Sequence, residues 1–435
     1  MHRWVIFLCS LVAPAQAFAG NDEAYFHDNQ AVLAGGAVVG GGTGAGMLWY
    51  NPAGLGANDR GRVEVTASAF TLRFRGDDDF FGVGDRAEGL ASSSFMTVPT
   101  ALSMVRKLGA RWYGGIGSYT TRQDSFDEEM VVQLGDADTA TYRLASSMVQ
   151  NNFGFGFGRA WAGGRFRFGG SVFVVLDNQS LTESVSYVRE SSDLDDVAIG
   201  LIDENRATLN RVGLDILFGL QWDMAEAFGV GLTVRLPRFR LKDEVTVNDT
   251  SVDAVGGMDA AADASRGRAR SSGRTDVLSY PARIALGLRF GAGDVRFTVD
   301  AEYSSSLQIS LTRWQGQINV RAGLTIDVSD DLALGVGAFT DRYRGRELSP
   351  AIAGDFYGAS LGLTKRKRLA IRESGDIVFT TTVGLRYAGS PNARYRGGRL
   401  DVSRIDADGT VFFEPGLRSV YLHEASLYLG SGLDF

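Results

Sequence analysis

Side chains able to do covalent or metal chemistry are scarce in this sequence. Of 435 residues, three are histidine and one is cysteine. His27 and His423 lie at opposite ends of the chain. A hydrolase triad needs its imidazole beside a serine and an orienting carboxylate. His423 and Glu424, as neighbours on a strand, point to opposite faces. Two distant histidines do not make a metal site. Gly40-Gly41-Gly42-Thr43-Gly44-Ala45 fits the dinucleotide fingerprint in form, yet no strand precedes it, and there is no Gly-Lys-Ser/Thr phosphate loop. A net charge of −7 without a long basic block argues against a nucleic-acid partner. The one dense basic cluster, Lys365-Arg366-Lys367-Arg368, reads as a solvated strand end near a membrane face, with anionic lipid headgroups as its alternative partner. The expectation is no catalytic residue, no metal and no cofactor: not an enzyme.

The two ends of the chain suggest where it works. His2 and Arg3 precede an apolar run from Trp4 to Ala13, and Ala15-Gln16-Ala17 and Ala17-Phe18-Ala19 both fit the small-x-small cleavage rule. Residues 1–19 therefore read as a signal peptide. Cys9 falls inside it, which leaves the mature chain without disulfides or a thiol nucleophile. Beyond it, Asn29 to Asn58 carries no charge, but seven of the twenty residues from Ala31 to Tyr50 are glycine. Each costs about 1 kcal/mol against alanine in a helix. Compact irregular backbone packed inside something fits better than a membrane helix.

From residue 62 onward the pattern has period two, as strands with one oily and one polar face require. Val295-Phe297-Val299-Ala301-Tyr303 interleaves with Arg296-Thr298-Asp300-Glu302-Ser304. Ile318-Val320-Ala322-Leu324-Ile326 interleaves with Asn319-Arg321-Gly323-Thr325-Asp327. Alternation suits a soluble sandwich as well as a membrane barrel. The runs, however, outlast ordinary soluble strands and reach the roughly 9 to 11 residues that cross a bilayer. Strands at 62–75, 92–107, 111–122, 142–160, 164–190, 207–224, 227–248, 276–292, 294–310, 314–328, 331–345, 354–367, 375–389 and 419–435 are joined alternately by tight turns and by long polar stretches at 76–91, 123–141, 191–206, 249–275 and 390–418. That asymmetry belongs to bacterial outer-membrane barrels. The last strand is amphipathic and ends on Phe435, resembling the signal read by outer-membrane assembly machinery. The fold expected is an all-β, membrane-spanning antiparallel barrel of about fourteen strands.

Met47-Leu48-Trp49-Tyr50-Asn51-Pro52-Ala53-Gly54-Leu55 resembles the W-x-N-P-A-G-L stretch of the FadL-type family of long-chain fatty-acid and hydrophobic-compound outer-membrane transporters. Val98-Pro99-Thr100-Ala101-Leu102-Ser103 is similar to that family's second strand, and Trp112-Tyr113-Gly114-Gly115-Ile116-Gly117 to its third. Gly40-Gly41-Gly42-Thr43-Gly44 departs from the family's usual acidic, alanine-rich plug. The resemblance implies an N-terminal hatch, residues 20–61, inside a barrel of residues 62–435. It also implies uptake of hydrophobic molecules, with lateral release where a strand kinks.

Residue physics is compatible with this. Asn51, Pro52, Ala53 and Gly54 form a turn of the hatch. Val38, Val39, Met47, Leu48, Trp49 and Tyr50 suit an oily substrate pocket, or else simple packing. Gly114, Gly115 and Gly117 can permit the strand kink. Arg283, Arg289, Arg321 and Arg386 on the lumen face either hold a substrate carboxylate or pair with Asp300, Glu302 and Asp327. The expected function is passive outer-membrane uptake of fatty acids or aromatic hydrocarbons, with lipids, a hydrophobic ligand and the assembly machinery as partners. The alternatives are a structural or adhesive barrel, or a lipid-acting enzyme.

Overall fold

The computed structural model describes residues 25–435 apart from 59, 84–85, 134–137, 190–198, 256–262, 273–275, 310–311, 343–344, 348–351, 372–374 and 402–411. The expected signal peptide, residues 1–19, lies outside the described residues. Fourteen antiparallel strands close on themselves. They are β1 (Arg62–Val83), β2 (Arg86–Lys107), β3 (Trp112–Gln133), β4 (Asp138–Trp161), β5 (Phe166–Arg189) and β6 (Ile199–Ala225). β7 runs through Phe228–Arg235 and Arg238–Val255, interrupted at Pro237, and β8 through Asp263–Ser272, Leu278–Tyr280 and Arg283–Ala292. Then come β9 (Val295–Ser304), β10 (Gln317–Ser329), β11 (Leu332–Asp341), β12 (Phe356–Ile371), β13 (Gly375–Ser390) and β14 (Tyr421–Asp434). Each pairs with the next, and β14 pairs with β1 from Asp434↔Arg62 onward. Phe435 and Gly61 exchange backbone hydrogen bonds of 2.9 and 3.1 Å and lock the seam.

The outer face is oily. Val65, Leu72 and Phe74 on β1, Phe153, Phe155 and Phe157 on β4, and Leu429 and Leu433 on β14 are all exposed, whereas Glu64, Thr66, Arg73, Gln150, Asn152 and Glu424 are buried inside. Such an inversion is stable only with hydrocarbon outside, which makes this a membrane-spanning barrel.

Strand lengths differ from the sequence expectation. Four of the five stretches expected as long loops continue much of the ladder: β1 and β2 stay paired up to Val83↔Arg86, and β3 and β4 up to Gln133↔Thr139. β6 begins at Ile199, and β7 pairs with β8 out to Asp253↔Asp263. The fifth, 390–418, holds a hairpin of its own, Arg394–Asp401 against Phe412–Ser419. Backbone hydrogen bonds do not require an oily face. Beyond the bilayer both faces become polar, so period two disappears from the sequence although the strands go on.

Residues 25–58 lie inside this wall, nearly all buried. Two short helices, α1 (Asn29–Leu33) and α2 (Met47–Tyr50), precede a 3₁₀ helix at Pro52–Ala57. They are too short to persist alone. Asp28 Oδ1 caps α1 by accepting from Gln30 and Ala31 N–H, and Asn51 Oδ1 caps the 3₁₀ helix by accepting from Ala53 N–H. The wall strips itself of side chains where this segment touches it. A Cβ on Gly231 would sit 1.9 Å from Val39 O, and one on Gly287 would sit 2.3 Å from Gly40 N.

Candidate functional site

The expected hatch turn is a clamp. Asn51 is fully buried, and its Nδ2 donates to Val39 O at 2.9 Å and to Leu220 O of β6 at 3.1 Å. Pro52, Ala53 and Gly54 are also buried. A Cβ on Gly219 would sit 2.0 Å from Asn51 Oδ1, so the β6 wall must be bare at that point.

The six expected pocket residues divide. Val38, Met47 and Leu48 are sealed in the core of the inner segment. Val39 docks by backbone, donating to Asp300 Oδ2 at 2.9 Å and accepting from Asn51. Trp49 is buried in the same core, and of the six only Tyr50 lines a cavity among the described residues. Trp49 belongs to an aromatic cluster with His27, Tyr119 and Phe173, at centroid distances of 5.5, 5.5 and 5.3 Å. The Arg235 guanidinium lies 4.1 Å from the Trp49 ring and donates to Trp49 O. Tyr50 lines a small cavity with Tyr25, Phe26, Phe339, Arg321 and Arg386.

The four expected lumen arginines do face inward, but all are engaged with protein carboxylates. Arg283 and Arg321 share Glu302 at 3.8 and 3.7 Å. Arg289 meets Asp223 at 2.9 Å, and Arg386 pairs with Glu424. Of the expected partners, Asp300 serves Val39, and Asp327 serves Arg296 and Arg366. A carboxylate-binding role for these arginines finds no support here.

The expected kink is displaced. Gly114, Gly115 and Gly117 are in regular register with both β2 and β4. The ladder fails immediately above them. β2 and β3 pair from Lys107↔Tyr113 to Ala101↔Tyr119, and among the described residues no pair joins them beyond that point. Each strand carries one extra residue there. Thr100 has no partner in the β1 register, which passes from Ala101 to Pro99, and Thr121 has none in the β4 register, which passes from Thr120 to Arg122. Such bulges bend a strand and switch its facing residues. On β3 the buried set accordingly passes from Tyr113, Gly115 and Tyr119 to Asp124. Pro99 has no N–H and is tolerated in strands chiefly at edges. The wall therefore has a lateral break between β2 and β3.

Inner-segment residues stand behind this break. His27 Nδ1 donates to Thr100 O at 3.1 Å, and the Tyr25 hydroxyl donates to Gln123 O at 2.8 Å. Burial holds His27 neutral, its pKa pushed down to about 3; the hydrogen bond to Thr100 O then places the proton on Nδ1. Asn152 Nδ2 ties the β3 bulge from the other side, donating to Thr121 Oγ1 at 3.0 Å and Tyr119 O at 3.2 Å. Above, Arg73 and Arg75 of β1 reach Asp124 of β3 at 2.9 and 2.6 Å, and Arg73 also binds Glu424 at 2.5 Å. These buried pairs bridge β1 to β3 behind the upper half of β2.

Tyr25, the paired bulges and this ion network were not expected from sequence. Pro99 within a strand was the one available sign. His423, by contrast, sits on the outer face beside Tyr387 Oη at 2.8 Å, while Glu424 is buried inside.

No protein-family model matches the chain, and no curated protein sequence does. Solved structures match its fold over nearly its whole length. The Pseudomonas putida toluene transporter TodX aligns with a TM-score of 0.59 at 14% identity, covering 95% of this chain and 99% of that one. The monoaromatic hydrocarbon channel CymD gives 0.55 at 11%, covering 96% and 99%. A Pseudomonas aeruginosa FadL homologue gives 0.54 at 10%, covering 96% and 100%. The chain has the fold of these proteins.

Proposed function

We propose that this chain is a FadL-type channel of the bacterial outer membrane, which takes up hydrophobic compounds passively and releases them sideways into the bilayer. The observation that carries the reading is the break between β2 and β3, backed by the aromatic cluster of His27, Trp49, Tyr119 and Phe173. A closed polar pore gives no reason to open its wall toward lipid or to put aromatic rings behind the opening. Residues 20–61 act as the hatch. Its tip, Tyr25 to His27, must yield for a ligand to pass from the aromatic cluster to the gap. The outward ring of Phe435 ends the closing strand, where assembly machinery can read it.

Within hydrophobic compounds, the side chains favour an uncharged aromatic over a fatty acid. Edge-to-face ring contacts suit an aromatic guest, and the four expected lumen arginines are held by protein carboxylates. No residue is assigned to catalysis. Uptake into proteoliposomes tests the reading directly, with labelled toluene, oleate and a small sugar compared. Toluene enters fastest, oleate more slowly and the sugar not at all above empty vesicles. Equal entry of the sugar, or no entry of any probe, overturns it.

A further inference from the structure

We propose that the short-turn rim of β2 to β5 binds the headgroup of an anionic phospholipid in the adjoining leaflet. Arg159 faces outward near the end of β4, among lipid-facing residues. Its guanidinium carbon lies 4.7 Å from the Trp112 ring and 4.5 Å from the Trp161 ring. Phe168 stacks on Trp161 at 4.5 Å and meets Trp112 edge-on at 6.2 Å, so an aromatic frame fixes the cation. Its Nε is buried without a hydrogen-bond partner. A charge on the lipid face is costly at the bilayer centre and nearly neutral at the interface. Paired tryptophans mark that interface.

Arg159 does not stand alone. Arg106, Lys107, Arg111 and Arg165 are exposed around the two adjoining turns. Arg111 O accepts from Ala160 N–H at 3.1 Å, which holds one turn against the end of β4. Among the described residues, none of these five cations has a carboxylate partner. The strand segments 104–118 and 152–176 contain no acidic residue at all. The other short turns differ. Glu226, Asp294, Asp330 and Asp331 sit in or beside them. Even the dense cluster Lys365-Arg366-Lys367-Arg368 is partly answered, since Arg366 meets Asp327 at 3.5 Å. The sector from β2 to β5 thus carries five cations without a carboxylate nearby, in the part of the barrel whose wall is broken higher up. A phosphodiester supplies acceptor oxygens and negative charge at the depth where Arg159 lies. The inference requires only that the barrel spans a membrane and is independent of what it transports.

Native mass spectrometry of the full barrel in detergent, offered equal phosphatidylglycerol and phosphatidylcholine, tests it. The native protein retains phosphatidylglycerol in preference, by roughly fivefold for each engaged cation, and the preference falls with added salt. Arg159→Gln lowers that preference roughly fivefold, Arg159→Lys lowers it less, and Lys365→Gln with Lys367→Gln leaves it unchanged. Folding of each variant is checked by the heat-dependent shift of its electrophoretic band. Equal retention by the native protein, a preference insensitive to salt, a preference undiminished by Arg159→Gln, or one lost with Lys365→Gln and Lys367→Gln would each overturn the proposal. The first two outcomes need no variant to fold.

Discussion

The two ends of the inner segment are held in different ways. From Val38 to Ala57 the backbone itself is pressed against the wall, at places where the wall has only glycine. Asn51 adds two buried donors to that contact. From Tyr25 to His27 the attachment is made by side chains reaching strand carbonyls that have lost their ladder partners. The first arrangement has no alternative partner and no room to shift. The second joins hydrogen bonds at a strand edge to the ring packing of Tyr25, Phe26 and His27, and depends on side chains that a single substitution can remove.

The comparison breaks most completely if the moored half is pushed off the wall. Gly231→Val places atoms where Val39 O now sits, and overpacking of this kind costs about 3 kcal/mol. The variant is expected to lose its folded electrophoretic band at a lower temperature and to expose residues 25–58 to added protease. A band and a digestion pattern like the native protein's would mean that the glycine contact is incidental. Asn51→Ala is next. It removes a helix cap and takes one donor from each of Val39 O and Leu220 O, at a cost of about 2 kcal/mol, read in the same two assays.

A third change leaves both halves in place and alters the gap. Deleting Thr121 removes the extra residue of β3 and restores simple alternation toward Asp124. The β2 and β3 edges can then continue to pair, so toluene uptake is expected to fall about tenfold with little change in thermal stability. Unchanged uptake would show that the bulge is not the exit.

Side-chain alternation made much of this fold legible in the sequence, and left the break almost invisible. Outward and inward faces on β9, β10 and β14 follow the order of residues because lipid and lumen impose opposite preferences at every step. A bulge is a single inserted residue. Around Thr97-Val98-Pro99-Thr100-Ala101 small polar and apolar side chains mix too evenly for the switch to register, and only Pro99 hints at an edge. Glycines mislead for a related reason. Gly114, Gly115 and Gly117 look like a hinge, whereas Gly219, Gly231 and Gly287 are spaces cleared for the inner segment; nothing local distinguishes the two. The lumen arginines were placed on the right face. Asp223 comes from two strands before Arg289 and Glu424 from the strand after Arg386, and neither pairing could be found without the register.

The smallest effect tests the tip. His27 is neutral in place, its pKa near 3 against an ordinary value of 6.5. Released into water, it takes up a proton below pH 6.5, so the seated state binds fewer protons than the released one between about pH 3 and 6.5. Attachment of the tip therefore weakens as pH falls through that window and is fully present above it. Between pH 7 and 6 the released population should grow roughly threefold from this group alone. Asp28, whose carboxyl is raised by burial and by the neighbouring Glu64 charge, titrates as well. It does so in both proteins when the native chain is compared with His27→Gln, and drops out of the difference. Hydrogen exchange at residues 25–33 provides the readout, corrected for the intrinsic pH dependence of exchange. The native chain should gain exchange relative to the variant on going from pH 7 to 6. An identical response in both proteins would mean that the imidazole does not hold the tip to Thr100, and the distinction between a moored half and a movable one would lose its chemical basis.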